Sequence, residues 1–297
     1  MKITGVALGF CLTTAGAAFA EPVPADCVTL AGRLQTLGGW SVTAPPAGSE
    51  AGWCVLDGAA FKAVAADLPD LRADRLRLRG MVEAGDLVAL DLDLQDLRLR
   101  PGLSAAAKED PVRRMFRLQS GDLRFSATQD PARDLLKIRD LMLTLSGGTR
   151  IVLSADIAGA ELGLATLASG RLMALTLDWQ MDGRSLRPVM EEIGAKLVPG
   201  ATGSQAVDAA RAALREVMNA LPEAMLSDES RSALDRVVTA VPVGRGRLQM
   251  SLVVAEGIGA ARLLVAGVAK DPLSPETQAA LFDGASLQVM WEPGLAP

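Results

Sequence analysis

Two aspartates on one predicted strand are the residues best placed to do chemistry. Asp91 and Asp93 are two positions apart, so on an extended strand their carboxylates lie on one face, about 7 Å from each other. Such a pair suits calcium binding or general acid–base catalysis. Arg75 and Arg77 on the preceding predicted strand favour another role, because opposite charges across a hairpin form surface ion pairs. We therefore expect ion pairs here, and no catalytic residue, metal site or cofactor.

The composition excludes several other chemistries. The chain contains no histidine and no tyrosine, so Ser-His-Asp triads, Cys-His pairs and imidazole metal sites cannot exist. Its 30 basic and 35 acidic residues are interspersed, which leaves no basic block for nucleic-acid binding. Gly257-Ile-Gly259 is not followed by the third glycine of a dinucleotide-binding loop and falls where a hairpin turn is expected.

The first twenty residues are typical of a secretory signal. Lys2 precedes a short, mostly apolar run, and the segment ends in Ala18-Phe19-Ala20. This pattern predicts cleavage after Ala20. We therefore expect a mature protein that is periplasmic or secreted.

Two cysteines, Cys27 and Cys54, remain in the expected mature chain. In an oxidising compartment an even pair predicts a disulfide. The bridge would close a loop of about 28 residues and stabilise the fold by about 3–4 kcal/mol in the chain-entropy model. It would tie an N-terminal segment, residues 21–58, to a single domain formed by residues 59–297.

Residues 70–183 alternate between leucine and charged residues, as strands with one buried face do. A three-residue loop at Glu83-Ala84-Gly85 would place Arg77 opposite Asp91. A register slid by two residues, which pairs Arg79 with Asp91, remains open. The first register also aligns Leu78 with Leu90, Leu76 with Leu92, and Arg75 with Asp93.

Two irregularities are expected along these strands. The alternation slips at Gln95-Asp96, which predicts a β-bulge. Gly147-Gly148-Thr149 is expected to form a three-residue hairpin loop that aligns Leu145 with Ile151. A short helix is also expected earlier in the chain, over residues 59–68.

Residues 185–241 form a predicted helical block. Its three helices begin after Ser185, Ser204 and Ser227, and prolines stop the last two. Residues 243–297 then predict a β-hairpin, a short helix and a last strand. Runs of strands with helices inserted late favour an α+β fold, built as a large, curved, mostly antiparallel sheet packed by the helical block.

The predicted hairpin around Gly147-Gly148-Thr149 carries unusually few charged residues on either face. If both faces are apolar, either the helical block covers the second one or that face forms an open trough for acyl chains. The residues of this candidate ligand face are Leu141, Met142, Leu143, Leu145, Ile151, Val152 and Leu153.

The leucine-alternating strands resemble those of AsmA-like bacterial envelope proteins. The segments that carry the resemblance are Ala73–Gly80 and Leu90–Arg100, within residues 70–183. The resemblance implies a curved sheet with an apolar concave face and a part in envelope lipid handling. It assigns no functional residue.

We expect a non-catalytic envelope protein that binds or shields a lipid or another apolar ligand and is at most peripheral to the membrane. The alternative is a protein-interaction or assembly module that offers a sheet edge or the helical block to another envelope protein. An enzyme that uses carboxylates or a Ser/Lys pair is the third hypothesis.

Overall fold

The computed structural model describes residues 22–34, 40–43, 48–63, 70–99, 119–162, 166, 169–183, 186–259 and 282–294. The predicted signal, a predicted strand at 260–269 and a short helix expected from Ser274 lie outside these ranges. Those three remain predictions.

In the described part of the chain, fourteen strands form one open sheet, and every pair of named strands is antiparallel. The predicted α+β class is confirmed, with helices packed on a mostly antiparallel sheet. The strands are β1 Val23–Pro24, β2 Trp40–Thr43, β3 Gly48–Glu50, β4 Trp53–Asp57, β5 Ala60–Ala63, β6 Leu71–Arg72, β7 Arg75–Glu83, β8 Asp86–Leu99, β9 Gly121–Asp130, β10 Leu135–Leu145, β11 Arg150–Ala158, β12 Arg171–Asp182, β13 Arg245–Gly259 and β14 Ala285–Pro293.

The sheet follows the chain from β7 to β14, each strand pairing with the next. The named helices are α1 Cys27–Leu34, α2 Leu186–Leu197, α3 Gly203–Ala220 and α4 Asp228–Ala240, with a 3-10 turn at Glu223–Met225. Ser227 caps α4 as predicted, because its side chain accepts a hydrogen bond from the Ser230 backbone N–H. The cap of α3 is Thr202 and not the predicted Ser204.

Two hydrophobic clusters lie at opposite ends of the sheet. In the N-terminal cluster, Leu30 of α1 packs with Leu76 and Leu78 of β7. The predicted disulfide joins Cys27 to Cys54 beside them. In the C-terminal cluster, residues of α2, α3 and α4 pack with β12, β13 and β14. Helix–sheet contacts among the described residues are concentrated on β7 and β14.

The β7–β8 hairpin adopts the slid register. Arg77 pairs with Asp93 and Arg79 with Asp91, so the predicted pairing of Arg77 with Asp91 is wrong. The turn has two residues, Ala84 and Gly85, both at positive φ, as tight hairpin turns require. A shift in register between Met81 and Val82 then leaves one extra residue on β8.

The β10–β11 hairpin has a three-residue loop, but it lies one residue earlier than predicted. The Leu145 N–H donates to the Thr149 carbonyl at 2.8 Å, and the Gly148 N–H donates to the Leu145 carbonyl at 2.9 Å. Gly148 takes the left-handed conformation with φ 94, which fixes the loop as residues 146–148. Ile151 therefore lies opposite Leu143 and not Leu145.

Two further local predictions had opposite outcomes. The register between β8 and β9 shifts between Leu94 and Leu97, so the irregularity predicted at Gln95-Asp96 is confirmed. The helix predicted over 59–68 is wrong where the chain is described, because residues 60–63 form β5 and pair with β2.

Candidate functional site

Two rows of apolar side chains cross the sheet from β4 to β14. Each row follows the register through eight successive strand pairs, one residue per strand. The rows are two residues apart on every strand and so share one face. The first row is Cys54, Leu78, Leu92, Phe125, Leu141, Leu153, Leu177, Met250 and Val289; the second is Leu56, Leu76, Leu94, Leu123, Leu143, Ile151, Trp179, Leu248 and Trp291.

The exposure of these rows changes along the sheet. Leu76 and Leu78 are 0% exposed at one end, and Val289 is 3% exposed at the other. The eight members on β9 to β12 are only half-buried. We call these eight residues the central strip: Leu123, Phe125, Leu141, Leu143, Ile151, Leu153, Leu177 and Trp179.

The central strip lies between the two hydrophobic clusters. With strands about 4.8 Å apart, its four strands span about 14 Å. Both end clusters cover the same face, because Leu30 packs on Leu78 and the C-terminal helices pack with Val289. The strip is therefore a half-buried apolar surface with a helix-covered cluster on each side.

Beyond one end of the strip, the same face of the sheet is buried. Ala127 and Ala155 continue the apolar face beyond the strip and are 0% and 6% exposed. Ala160 joins Ala127 and Leu136 in a third cluster, and Leu162 packs against it. The other end leads to the β10–β11 loop.

The structure divides the predicted ligand residues between two faces. Leu141, Leu143, Ile151 and Leu153 belong to the central strip, and Leu145 continues their face at the loop end. Met142 and Val152 lie opposite each other on the other face.

That other face is polar, contrary to the expectation of two apolar faces. The row that contains Met142 and Val152 continues to Arg124 on one side and to Asp178 on the other. Arg247 binds the Asp178 carboxylate through two hydrogen bonds, of 2.9 and 2.6 Å. The sheet is thus apolar on one face and charged on the other.

The aspartates singled out for chemistry lie on the polar face and are held in ion pairs. Asp93 is 5% exposed and is hydrogen-bonded by Arg77. Asp91 accepts from Arg79 Nε at 2.8 Å and from the Ser126 hydroxyl at 2.6 Å. Both carboxylate oxygens of Asp91 and one oxygen of Asp93 are therefore engaged by neighbouring side chains.

The pKa of Asp91 is set by burial on one side and by hydrogen bonds and nearby positive charges on the other. Burial acts to raise this pKa, but hydrogen bonds from Ser126 and Arg79 and the charges of Arg79 and Arg139 lower it below its usual value. Asp91 therefore stays ionised at neutral pH, as an ion-pair partner does. A general acid would need the opposite shift.

The indole ring of Trp53 completes this charged cluster. Arg79 and Arg77 lie over it, with their guanidinium carbons 4.4 and 5.2 Å from the ring centroid. Cation–π contacts of this kind stabilise a surface by about 0.5–1 kcal/mol each. The cluster contributes to the fold of the polar face.

A cavity of about 1000 Å³ also opens on the polar side near the β10–β11 loop. Its charged lining is balanced, with Arg150, Arg245 and Arg247 against Asp178, Asp182 and Glu292. This balance favours no particular ligand charge. Within the described ranges, no group of three or more acidic or cysteine side chains is arranged to hold a metal ion.

Among the helices whose residues are described, none is long and apolar enough to cross a membrane. No family model matches the chain, and no curated protein matches it.

Sequence reasoning found half of the central strip and missed the rest. Leu123, Phe125, Leu177 and Trp179 were visible as strand residues but were not assigned to the ligand face. Their membership depends on register across four strands, which the alternation within one strand cannot supply. Trp179 is the member of the strip that carries a polar side-chain atom. Leu177, two residues earlier on the same face, was the signal in the sequence that could have placed Trp179 there.

Proposed function

We propose that this protein binds the acyl chain of a lipid on the central strip, as a non-catalytic protein of the bacterial envelope. The observation that carries the proposal is the pair of apolar rows, buried at both ends and half-buried in the middle. Contiguous apolar surface of this kind is typical of ligand grooves and interaction sites.

The chemistry of the strip favours a hydrocarbon chain. Its eight side chains carry no charge, and seven of them have no polar atom. An acyl chain needs no hydrogen-bonding partner along its length, so it can cover the central strip without leaving polar groups unpaired. Covering one such side chain completely contributes about 1.5–3 kcal/mol relative to leaving it exposed.

The proposed location follows from the predicted signal and the disulfide. A Cys27–Cys54 bridge is compatible with an oxidising compartment. Together with the signal pattern of residues 1–20, it supports a periplasmic or secreted protein, cleaved after Ala20. In that setting the protein would shield acyl chains from water as a soluble or membrane-peripheral carrier.

The test compares two neighbouring residues of β11. Leu153→Gln places a polar group in the central strip, whereas Val152→Gln makes the same kind of change on the polar face. We expect Leu153→Gln to weaken binding of hexadecanoic acid about tenfold or more. Val152→Gln should bind as the wild type does. Titration calorimetry or displacement of a fluorescent fatty acid measures both.

Folding is checked separately by circular dichroism and thermal unfolding of each variant. Leu153→Ala, which adds no polar group, provides a milder second change at the same position. Equal binding by the Leu153 and Val152 variants, both folded, contradicts the proposed site. Absence of binding by the wild type contradicts the proposed function.

One observation favours protein docking as a second candidate. Ile193, Leu197 and Val198, at the end of α2, are 42%, 51% and 44% exposed. Ile193 and Leu197 are four residues apart and so lie on one side of α2, and Val198 directly follows its last residue. Together they offer a small apolar patch. Replacing all three with serine should abolish capture of an envelope partner by crosslinking and leave fatty-acid binding unchanged.

A further inference from the structure

Trp179 is the member of the central strip that differs chemically from the others. It lies on β12 between Ile151 of β11 and Leu248 of β13. Its ring also packs against the C-terminal cluster. It therefore stands at the border between the half-buried strip and the helix-covered part of the sheet.

The indole nitrogen of Trp179 is buried and has no hydrogen-bond partner among the residues that the structure describes. Buried tryptophan N–H groups normally find an acceptor, and leaving one unpaired costs about 1–3 kcal/mol. The neighbouring residues of its row, Ile151 and Leu248, have no polar side-chain atom. Neither of these side chains can therefore accept a hydrogen bond from this N–H.

We infer that Trp179 donates a hydrogen bond to the carbonyl or carboxylate oxygen of the bound lipid, an inference that rests on the proposed function. The ligand class is then an acyl compound with an oxygen acceptor at the head of its chain. A plain hydrocarbon or an alkyl amine lacks this acceptor.

The position of Trp179 also gives the ligand a direction. Trp179 is level with Leu143 and Ile151, toward the β10–β11 loop. Leu153 and Leu177 lie one row farther from the loop, and the buried Ala155 lies beyond them. The head group is thus near the loop, and the chain extends over Leu177 and Leu153 toward Ala155.

The test compares two ligands of equal chain length, dodecanoic acid and dodecylamine. The acid has acceptor oxygens, whereas the protonated amine has only donors. We expect Trp179→Phe to weaken binding of dodecanoic acid about tenfold, the effect of one hydrogen bond to a charged acceptor. Binding of dodecylamine should change less than about twofold, since only packing is altered.

Trp53→Phe is the matched control, because Trp53 is on the polar face beneath two arginines. It should leave binding of both ligands unchanged. Trp179→Leu, which also removes the donor but keeps the row apolar, repeats the test if the phenylalanine variant unfolds.

The outcomes separate this inference from the proposed function. If Trp179→Phe weakens both ligands equally, or neither, the hydrogen bond is refuted while lipid binding stands. If the wild-type protein binds neither twelve-carbon ligand, the proposed function itself fails.

Discussion

At the residue scale, the aspartates of the polar face are held in ion pairs with arginines. Asp178 is held by two hydrogen bonds from Arg247. Asp93 is nearly buried and is paired with Arg77. A buried carboxylate is tolerated only with such a partner, because an unpaired charge in the interior is strongly destabilising. These aspartates therefore belong to the framework that holds the strands in register.

The Asp178–Arg247 pair makes stability depend on pH in one direction. The hydrogen bonds and the charge of Arg247 outweigh partial burial and lower the pKa of Asp178 below its ordinary value of 3.8. A lowered carboxylate pKa contributes stability above the ordinary pKa, and this contribution is lost as the pH falls through the folded-state pKa.

We therefore expect Asp178→Asn to lower the free energy of unfolding at pH 7 by up to about 1 kcal/mol, since the pair is partly exposed. The difference from the wild type should shrink as the pH falls below 3.8. Urea titrations at pH 7 and at acidic pH measure it, with the exposed Asp57→Asn as a control. A difference that stays constant or grows in acid contradicts this account.

At the scale of elements, the helical block depends on one close helix crossing. Gly194 of α2 lies against the backbone of Ala206 in α3. A Cβ at Gly194 would be 1.7 Å from the Ala206 carbonyl oxygen. Only glycine allows this approach, so the packing of α2 on α3 is fixed by a missing side chain.

Gly194→Ala should destabilise the protein by about 1–3 kcal/mol, because the helices must move apart. Gly32→Ala in α1 is the matched control, since its added Cβ meets no atom within 4 Å. That change should be neutral or stabilise by about 0.5–1 kcal/mol, as alanine favours helix. The denaturation midpoints of the two variants measure these changes in stability. Equal effects at Gly194 and Gly32 would contradict the close helix crossing.

The edge of the sheet at β14 is protected by the same block. The Val289 N–H donates to the Ser230 hydroxyl at 3.1 Å, and Leu226 forms a parallel bridge with Leu287. Pro293, near the end of the strand, has no N–H to offer. Strand addition at this edge is therefore less favourable than binding on the sheet face.

The sequence allowed prediction of the elements better than of their relations. Alternation of leucine and charge identified strands β7 to β12, because each buries one face. Ser227 marked the start of α4 through its capping hydroxyl. The predicted β7–β8 register was wrong, because the alternation of leucine and charge gives no sign of the positive φ of Ala84 or of the extra residue on β8.

The location of the helices could not be read from the sequence either. The helical block follows β12 in the chain, yet its main sheet contacts are with β14. Which strand the helices contact depends on the strand order, and the strand order is a property of the assembled sheet. For the same reason, sequence patterns left open whether the block covers the predicted ligand face.

At the scale of the molecule, the N-terminal cluster, the central strip and the C-terminal cluster lie along the same two rows and form one apolar surface. The rows run without a polar residue from β4 to β14, and helices cover them only near the ends in the described part of the chain. If the strip binds an acyl chain as proposed, a binding surface that exists before the ligand arrives lowers the entropic cost of binding.

Photolabelling by a fatty acid tests this account most directly. Hexadecanoic acid with a diazirine on its chain, irradiated with the wild-type protein, leaves adducts that tandem mass spectrometry assigns to residues. We predict adducts on Leu141, Leu153 and Leu177, which excess unlabelled hexadecanoic acid removes. Adducts that fall equally on Met142 and Val152, or only on the helices, would contradict the central strip as the binding site.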